Sequence, residues 1–218
     1  MSGEITVVMN HFNQHPAMLD WQPTVHCVAE PATRYESPEG VRYLQGMLRG
    51  YTTTTHVFPI ETKALFDRTA FLAPERLVLV KQDGRTAADF DHIDLTGPIP
   101  SLHDTSILAV SVAVAMGCNP IVLIGLDYDW LCHDSIRRHF YDDAEVPWEP
   151  EDLTKVPYLA EMRTAIPRWE AHAQLSLIAA RTGQVIVNAT KGSFLDVYPI
   201  VPIGTVLPGA ASPRTGRE

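Results

Sequence analysis

Apolar positions along the chain fall into short β-branched runs separated by stretches of helical spacing. Residues 5–9 form the first run, ending at Asn10, and residues 24–29 the second, after the turn-like Trp21-Gln22-Pro23. Between 38 and 48, Val41, Leu44, Met47 and Leu48 recur at the helical period, and Gly50 is placed to stop the helix. Residues 54–58 and 76–80 predict two more strands. The stretch 81–100 is polar and punctuated by Gly84, Gly97, Pro98 and Pro100, so it predicts a loop.

The clearest unit follows. Residues 103–116 are apolar nearly all round and rich in small side chains (Ala109, Ser111, Ala113, Ala115), the pattern of a buried helix, with Gly117 at its C-terminal cap. Pro120 then opens 121–124, a continuous apolar run suited to a strand covered on both faces. Residues 126–156 are polar and aromatic, too long for an ordinary connection, and long loops in compact domains tend to carry function. A helix is expected next, with Pro167 in its first turn and Trp169, Ala173, Ser176, Leu177 and Ala180 as its inward stripe. Thr182-Gly183 ends it, and residues 184–187 form a last strand. Strands alternating with helices predict one α/β domain over 1–208, doubly wound and Rossmann-like, with a mostly parallel sheet and helices on both faces. Residues 209–218 read as a flexible tail.

Composition narrows the partners. The 218 residues carry a net charge of −9, and a basic face for nucleic acid is not expected. Cys27, Cys118 and Cys132 form no CxxC pair and fit reduced thiols. No apolar run approaches the ~20 residues of a membrane span, and the start lacks a signal peptide, so the chain reads as cytoplasmic. Homo-oligomerisation is left open.

In open α/β sheets ligands bind beyond the carboxyl ends of the strands. Asn10, Glu30, Asp127 and Asn188 fall there, with Gly125 at the end of the central run. Asp127 and Asp129, two residues apart, could hold a divalent cation such as Mg²⁺ bridging to a diphosphate. Alternatively His139 serves as general base, while Arg137 and Arg138 clamp a phosphate. Thr105 and Ser106 open the buried helix, where free N–H groups suit an anion; capping by Ser101 or Asp104 is the plain alternative.

Several of these stretches share a likeness. His103-Asp104-Thr105-Ser106 through Ala115-Met116-Gly117, then Ile121-Val122-Leu123-Ile124-Gly125-Leu126-Asp127, resembles the 6-hydroxymethylpterin diphosphokinase MptE-like family. That group takes in motility-associated-factor glycosyltransferases and is similar to bacterial sialyltransferases that use CMP-sugars. His139-Phe140-Tyr141-Asp142, and Asn188 to Ser193 followed by Leu195-Asp196-Val197-Tyr198, also fit. Two departures stand out. The family's Gly-x-Gly-Pro-Ser turn does not occur, and Ile107 stands where sialyltransferase-like members have Gly.

The resemblance implies a nucleotide-sugar donor, CMP-linked, and a hydroxyl acceptor, with no cofactor required. In it Asn10 contacts base or ribose, Thr105 and Ser106 line the nucleotide, and Tyr128 meets a phosphate. His139 is the catalytic base, with Tyr141 beside the phosphate arginines and Glu30, Gly125 and Asn188 along the nucleotide edge. Two other expectations remain: Mg²⁺-dependent pyrophosphoryl transfer from ATP to a hydroxymethylpterin-type substrate through Asp127 and Asp129, and a non-catalytic binding subunit.

Overall fold

Strands form where the β-branched runs lie, and every strand pairing is parallel. The computed structural model describes residues 3–132 and 157–207. Strands β1 (Val7–Met9), β2 (Val25–Cys27), β3 (Thr55–Pro59), β4 (Leu77–Gln82) and β5 (Pro98–Ile99) make a five-stranded sheet in that order. Strands β6 (Ile121–Leu123) and β7 (Ile186–Asn188) pair with each other in a separate two-stranded sheet. Parallel neighbours need crossovers, supplied by α1 (Pro38–Met47) between β2 and β3, α2 (Lys63–Thr69) between β3 and β4, and α4 (Tyr158–Arg181) between β6 and β7. Helix α3 (Thr105–Ala115) carries the chain from the larger sheet to β6, and a short α5 (Ile203–Val206) follows β7.

Side chains alternate across a strand, and here the alternation separates two cores. Val57 of β3 and Val80 of β4 face the group containing Ile107, Leu108, Leu175 and Ile178 of α3 and α4. Phe58 of β3, with Leu77 and Leu79 of β4, faces Leu44, Leu65 and Phe66 of α1 and α2. The larger sheet is therefore covered on both sides, as an α/β fold requires. Helix α3 is buried nearly all round, which explains why it shows no polar stripe. The Asp104 side chain caps it by accepting from the Ile107 N–H at 3.0 Å.

The sheet is not continuous. The outer edges of β1 and β6 flank a cleft of about 150 Å³ lined by Val7, Met9, Ser106, Ala109, Ile121 and Leu126. Residues 121–124, expected as a strand covered on both faces, give only Ile121–Leu123, and Ile124 is 55% exposed. With β7 as its sole partner among the described residues, β6 is an edge strand, so its last residue leaves the sheet.

Other differences have local causes. Helix α4 begins at Tyr158, so Pro167 lies inside it, not in the first turn. Pro167 takes away a donor that would have met the carbonyl of Arg163, a residue on the exposed side, and the good helix formers before it keep the helix going. The inward stripe of α4 is His172, Leu175, Ile178 and Ala179, whereas Leu177 and Ala180 of the expected stripe face outward. His172 is fully buried, and the inward face is turned toward it. Part of the expected loop 81–100 is strand, because β4 runs on to Gln82 and pairs there with β5. Helix α2, for which the sequence pattern gave no expectation, follows Pro59. The tail 209–218 and residues 133–156 of the long loop lie outside the described residues.

The phase of α4 is open to measurement. Leu175→Ala, at a fully buried site, is expected to lower the unfolding free energy by about 2–5 kcal/mol. Leu177→Ala, at a 52% exposed site, is expected to cost under about 1 kcal/mol. Urea unfolding of the two variants checks the order.

Candidate functional site

The carboxyl ends of the strands on both sides of the cleft converge on the first turn of α3. Beyond β2, the Ala29 N–H donates to Thr105 Oγ1 at 3.3 Å. Beyond β6, the Tyr128 hydroxyl lies 3.0 Å from Ser106 Oγ. Beyond β7, the Asn188 amide nitrogen donates to Ser193 Oγ at 2.9 Å and to the Leu126 carbonyl at 3.4 Å, and Ser193 Oγ also donates to that carbonyl. The two sheets are thus stitched together at one end, where the chain switches from one to the other. That is the place where open α/β sheets bind ligands.

Two non-glycine residues take left-handed backbone conformations at this edge: Asn10 (φ 48°) directly after β1 and Tyr128 (φ 57°) shortly after β6. Such conformations persist only when surrounding structure enforces them, and they gather at functional sites. Gly125 (φ 76°) makes the turn out of β6, a geometry that suits glycine.

Tyr128 is enforced by a buried polar group. Its hydroxyl donates to Asp104 Oδ2 at 2.5 Å, and Ser106 Oγ donates to Asp104 Oδ1 at 2.6 Å. His172 Nε2 lies 2.8 Å from the Tyr128 hydroxyl and 3.0 Å from Ser106 Oγ, while its Nδ1 lies 2.9 Å from the Tyr198 hydroxyl. Both hydroxyl protons are already given to Asp104. His172 must therefore donate from Nε2, and Nδ1 accepts from Tyr198. Every member is satisfied with a neutral imidazole. Burial lowers the His172 pKa, against a smaller upward pull from Asp104. Burial, reinforced by Asp104, pushes the Tyr128 phenol well above its ordinary value.

Beside this group stands an aromatic and cationic wall. Trp130 and Trp169 both pack against the Tyr128 ring, with centroids at 4.8 and 4.6 Å. The Arg168 guanidinium lies 5.2 Å from the Trp130 ring centroid and 3.9 Å from Asp104 Oδ2. Arg168 is a cation that this edge offers an anion, beside the Asp104 carboxylate. Two polar atoms here, Asn10 Oδ1 and Trp130 Nε1, are buried without a hydrogen-bond partner among the described residues. Leaving such a group unmet costs about 1–3 kcal/mol, so each calls for an explanation.

The sequence candidates are sorted by this geometry. Asn10, Thr105, Ser106, Gly125 and Tyr128 lie at the shared edge. Asn188 is there too, but its amide is spent on Ser193 and on backbone carbonyls, and its Oδ1 accepts from the Thr190 N–H. Glu30 is paired with Arg34 at 3.4 Å. Asp127 has an exposed side chain, and its carbonyl accepts from the Phe194 N–H at 2.7 Å, so it shapes the loop. Among the described residues no group of three or more His, Cys, Asp or Glu side chains could hold a metal with Asp127 or Asp129. His139, Arg137, Arg138 and Tyr141 lie outside the described residues. Asp104 fills the capping role given as the alternative, and its carboxylate makes the first turn of α3 a poor place for a phosphate.

Sequence reasoning passed over His172, Arg168 and Trp130. Tyr198 falls inside a quoted stretch but carried no role. For His172 no local signal exists, since its partners lie 66 and 44 residues away.

No family model, no curated protein and no solved structure matches this chain.

Buried neutral histidines set a pH response. Burial, with an opposing hydrogen bond to Asn10, lowers His26 to about 4. Burial, with the repulsion that a protonated His26 would add and the charge of Arg76, lowers His56 to about 3. In the unfolded chain these imidazoles titrate near 6.5. Between those values the unfolded state binds more protons, so their contribution is whole above about pH 6.5 and is lost as pH falls toward 4. Urea unfolding is expected to show a plateau above pH 7 and falling stability below 6.5; stability that rises on acidification would contradict this. At the site, Tyr128→Phe is expected to cost about 1–3 kcal/mol in the same assay, because it leaves Asp104 short of a donor.

Proposed function

We propose that this chain is a transferase that binds a nucleotide-activated sugar, CMP-linked, across the carboxyl edge shared by its two sheets, and passes the sugar to a hydroxyl acceptor. The observation that carries the proposal is the pair of left-handed turns at Asn10 and Tyr128, set on either side of the sheet switch point. The unpaired Asn10 Oδ1 suits the exocyclic amino group of a base, and the unpaired Trp130 Nε1 suits a ribose or sugar oxygen. Arg168, which lies 5.2 Å from the Trp130 ring centroid and 3.9 Å from Asp104 Oδ2, is the proposed phosphate contact. Asp104, still partly open to solvent, can accept from a sugar or acceptor hydroxyl. Ser106, Tyr128 and His172 keep its carboxylate oriented. His139, from the sequence resemblance, is the proposed base for the acceptor.

Thermal shift with CMP, UDP and ADP, followed by incubation with CMP-sugars, tests this. CMP at about a hundred times its Kd is expected to stabilise the fold by about 2.7 kcal/mol, seen as several degrees in Tm. Asn10→Ala is expected to reduce that gain, and slow donor hydrolysis is expected from the unmutated protein. No shift with any nucleotide, together with no hydrolysis, would discard the proposal.

A further inference from the structure

The second buried polar group lies under Asn10. In the parallel register His26 of β2 is directly opposite His56 of β3, and the two Nδ1 atoms are 3.0 Å apart. His26 Nε2 is 2.7 Å from the Asn10 carbonyl. A carbonyl only accepts, so His26 carries its proton on Nε2 and its Nδ1 is bare. His56 must then donate from Nδ1, which leaves its Nε2 bare. That atom faces Arg76 Nη2 at 3.3 Å, a group that only donates. Each bond fixes the direction of the next. Arg76 is itself held by the carbonyls of Thr54 and Tyr51, both at 3.0 Å.

We propose that Arg76, His56 and His26 are positioning residues that hold the Asn10 carbonyl, and so the left-handed turn at the end of β1, through one directed relay of hydrogen bonds. Both imidazoles are fully buried. Their neighbours are His11, next along the chain from Asn10 and bonded to Tyr43 of α1, Tyr51, whose ring stacks on His26 with centroids at 4.8 Å, and Arg76. None of these is acidic, so nothing among them favours a charged imidazole. A proton added to His26 Nδ1 would set two N–H groups against each other across the 3.0 Å gap, and one added to His56 Nε2 would point at the Arg76 guanidinium, which can only donate. The relay therefore requires both rings neutral, with different tautomers, the Nε2–H form at His26 and the less common Nδ1–H form at His56.

The part of this inference that concerns ligand binding rests on the proposed nucleotide site, and the experiment keeps the two apart. Long-range ¹H–¹⁵N imidazole spectra of the free protein are expected to show His26 as Nε2–H and His56 as Nδ1–H, both unmoved between pH 8 and 5.5. The opposite tautomers, or a titration midpoint near 6.5 at either ring, would overturn the relay whatever the protein binds. His56→Asn keeps an N–H donor close to the former Nδ1 position and is expected to preserve the His26 tautomer. His56→Leu removes it, leaving His26 free to change tautomer or titrate. With CMP as probe, His56→Leu is expected to weaken binding about tenfold and His56→Asn to restore most of it. Equal binding by both variants would overturn the positioning role. Absence of CMP binding by the unmutated protein, with the tautomers as stated, would instead count against the nucleotide site alone.

Discussion

Asp104 receives the Tyr128 and Ser106 hydroxyls and the Ile107 N–H, and through the first two it meets His172. These few bonds join α3, the turn beyond β6, and α4, three elements that no strand pairing connects. The two sheets share no ladder among the described residues, so their relative placement at the ligand edge depends on this group and on the packing of α3 beneath it. A half-satisfied polar group in the core would cost more than an apolar one. Here each hydroxyl and each imidazole nitrogen finds a partner, which is why a carboxylate can be drawn so close to the core.

The site has the same logic on its two sides. Beyond β6 a buried histidine and a carboxylate fix the Tyr128 turn. Beyond β1 a buried pair of histidines ends on the Asn10 carbonyl. Left-handed turns at tyrosine and asparagine carry a conformational cost of order 1–3 kcal/mol each, which the surrounding hydrogen bonds offset. Rigid turns at both rims of a cleft hold polar groups ready for a ligand, and preorganisation of that kind lowers the entropy lost on binding.

Much of the fold was legible in the chain, because it rests on local patterns. The apolar runs at 5–9, 24–29, 54–58 and 121–124 each produced a strand, and the all-round apolarity of 103–116 produced the buried helix α3. What stayed hidden was non-local. The phase of α4 depended on treating His172 as a core residue, and its burial is paid for by Tyr198 and Tyr128 from other elements. The split of β6 and β7 from the larger sheet leaves no mark in periodicity, since an edge strand and a central one share the same short apolar run. At the site, residues at strand ends and at the start of α3 could be named from topology. The wall of Trp130 and Arg168 could not, because nothing in the spacing of those residues says that they meet.

The central claim is that ligand binds at the carboxyl edge where the two sheets are stitched together. Amide chemical-shift mapping during a CMP titration tests it most directly. Changes are expected to concentrate at Asn10, Asp104, Ser106, Tyr128 and Arg168. Changes confined to the opposite end of β6 and β7, around Gly117, Asn119 and Gly183, would contradict it.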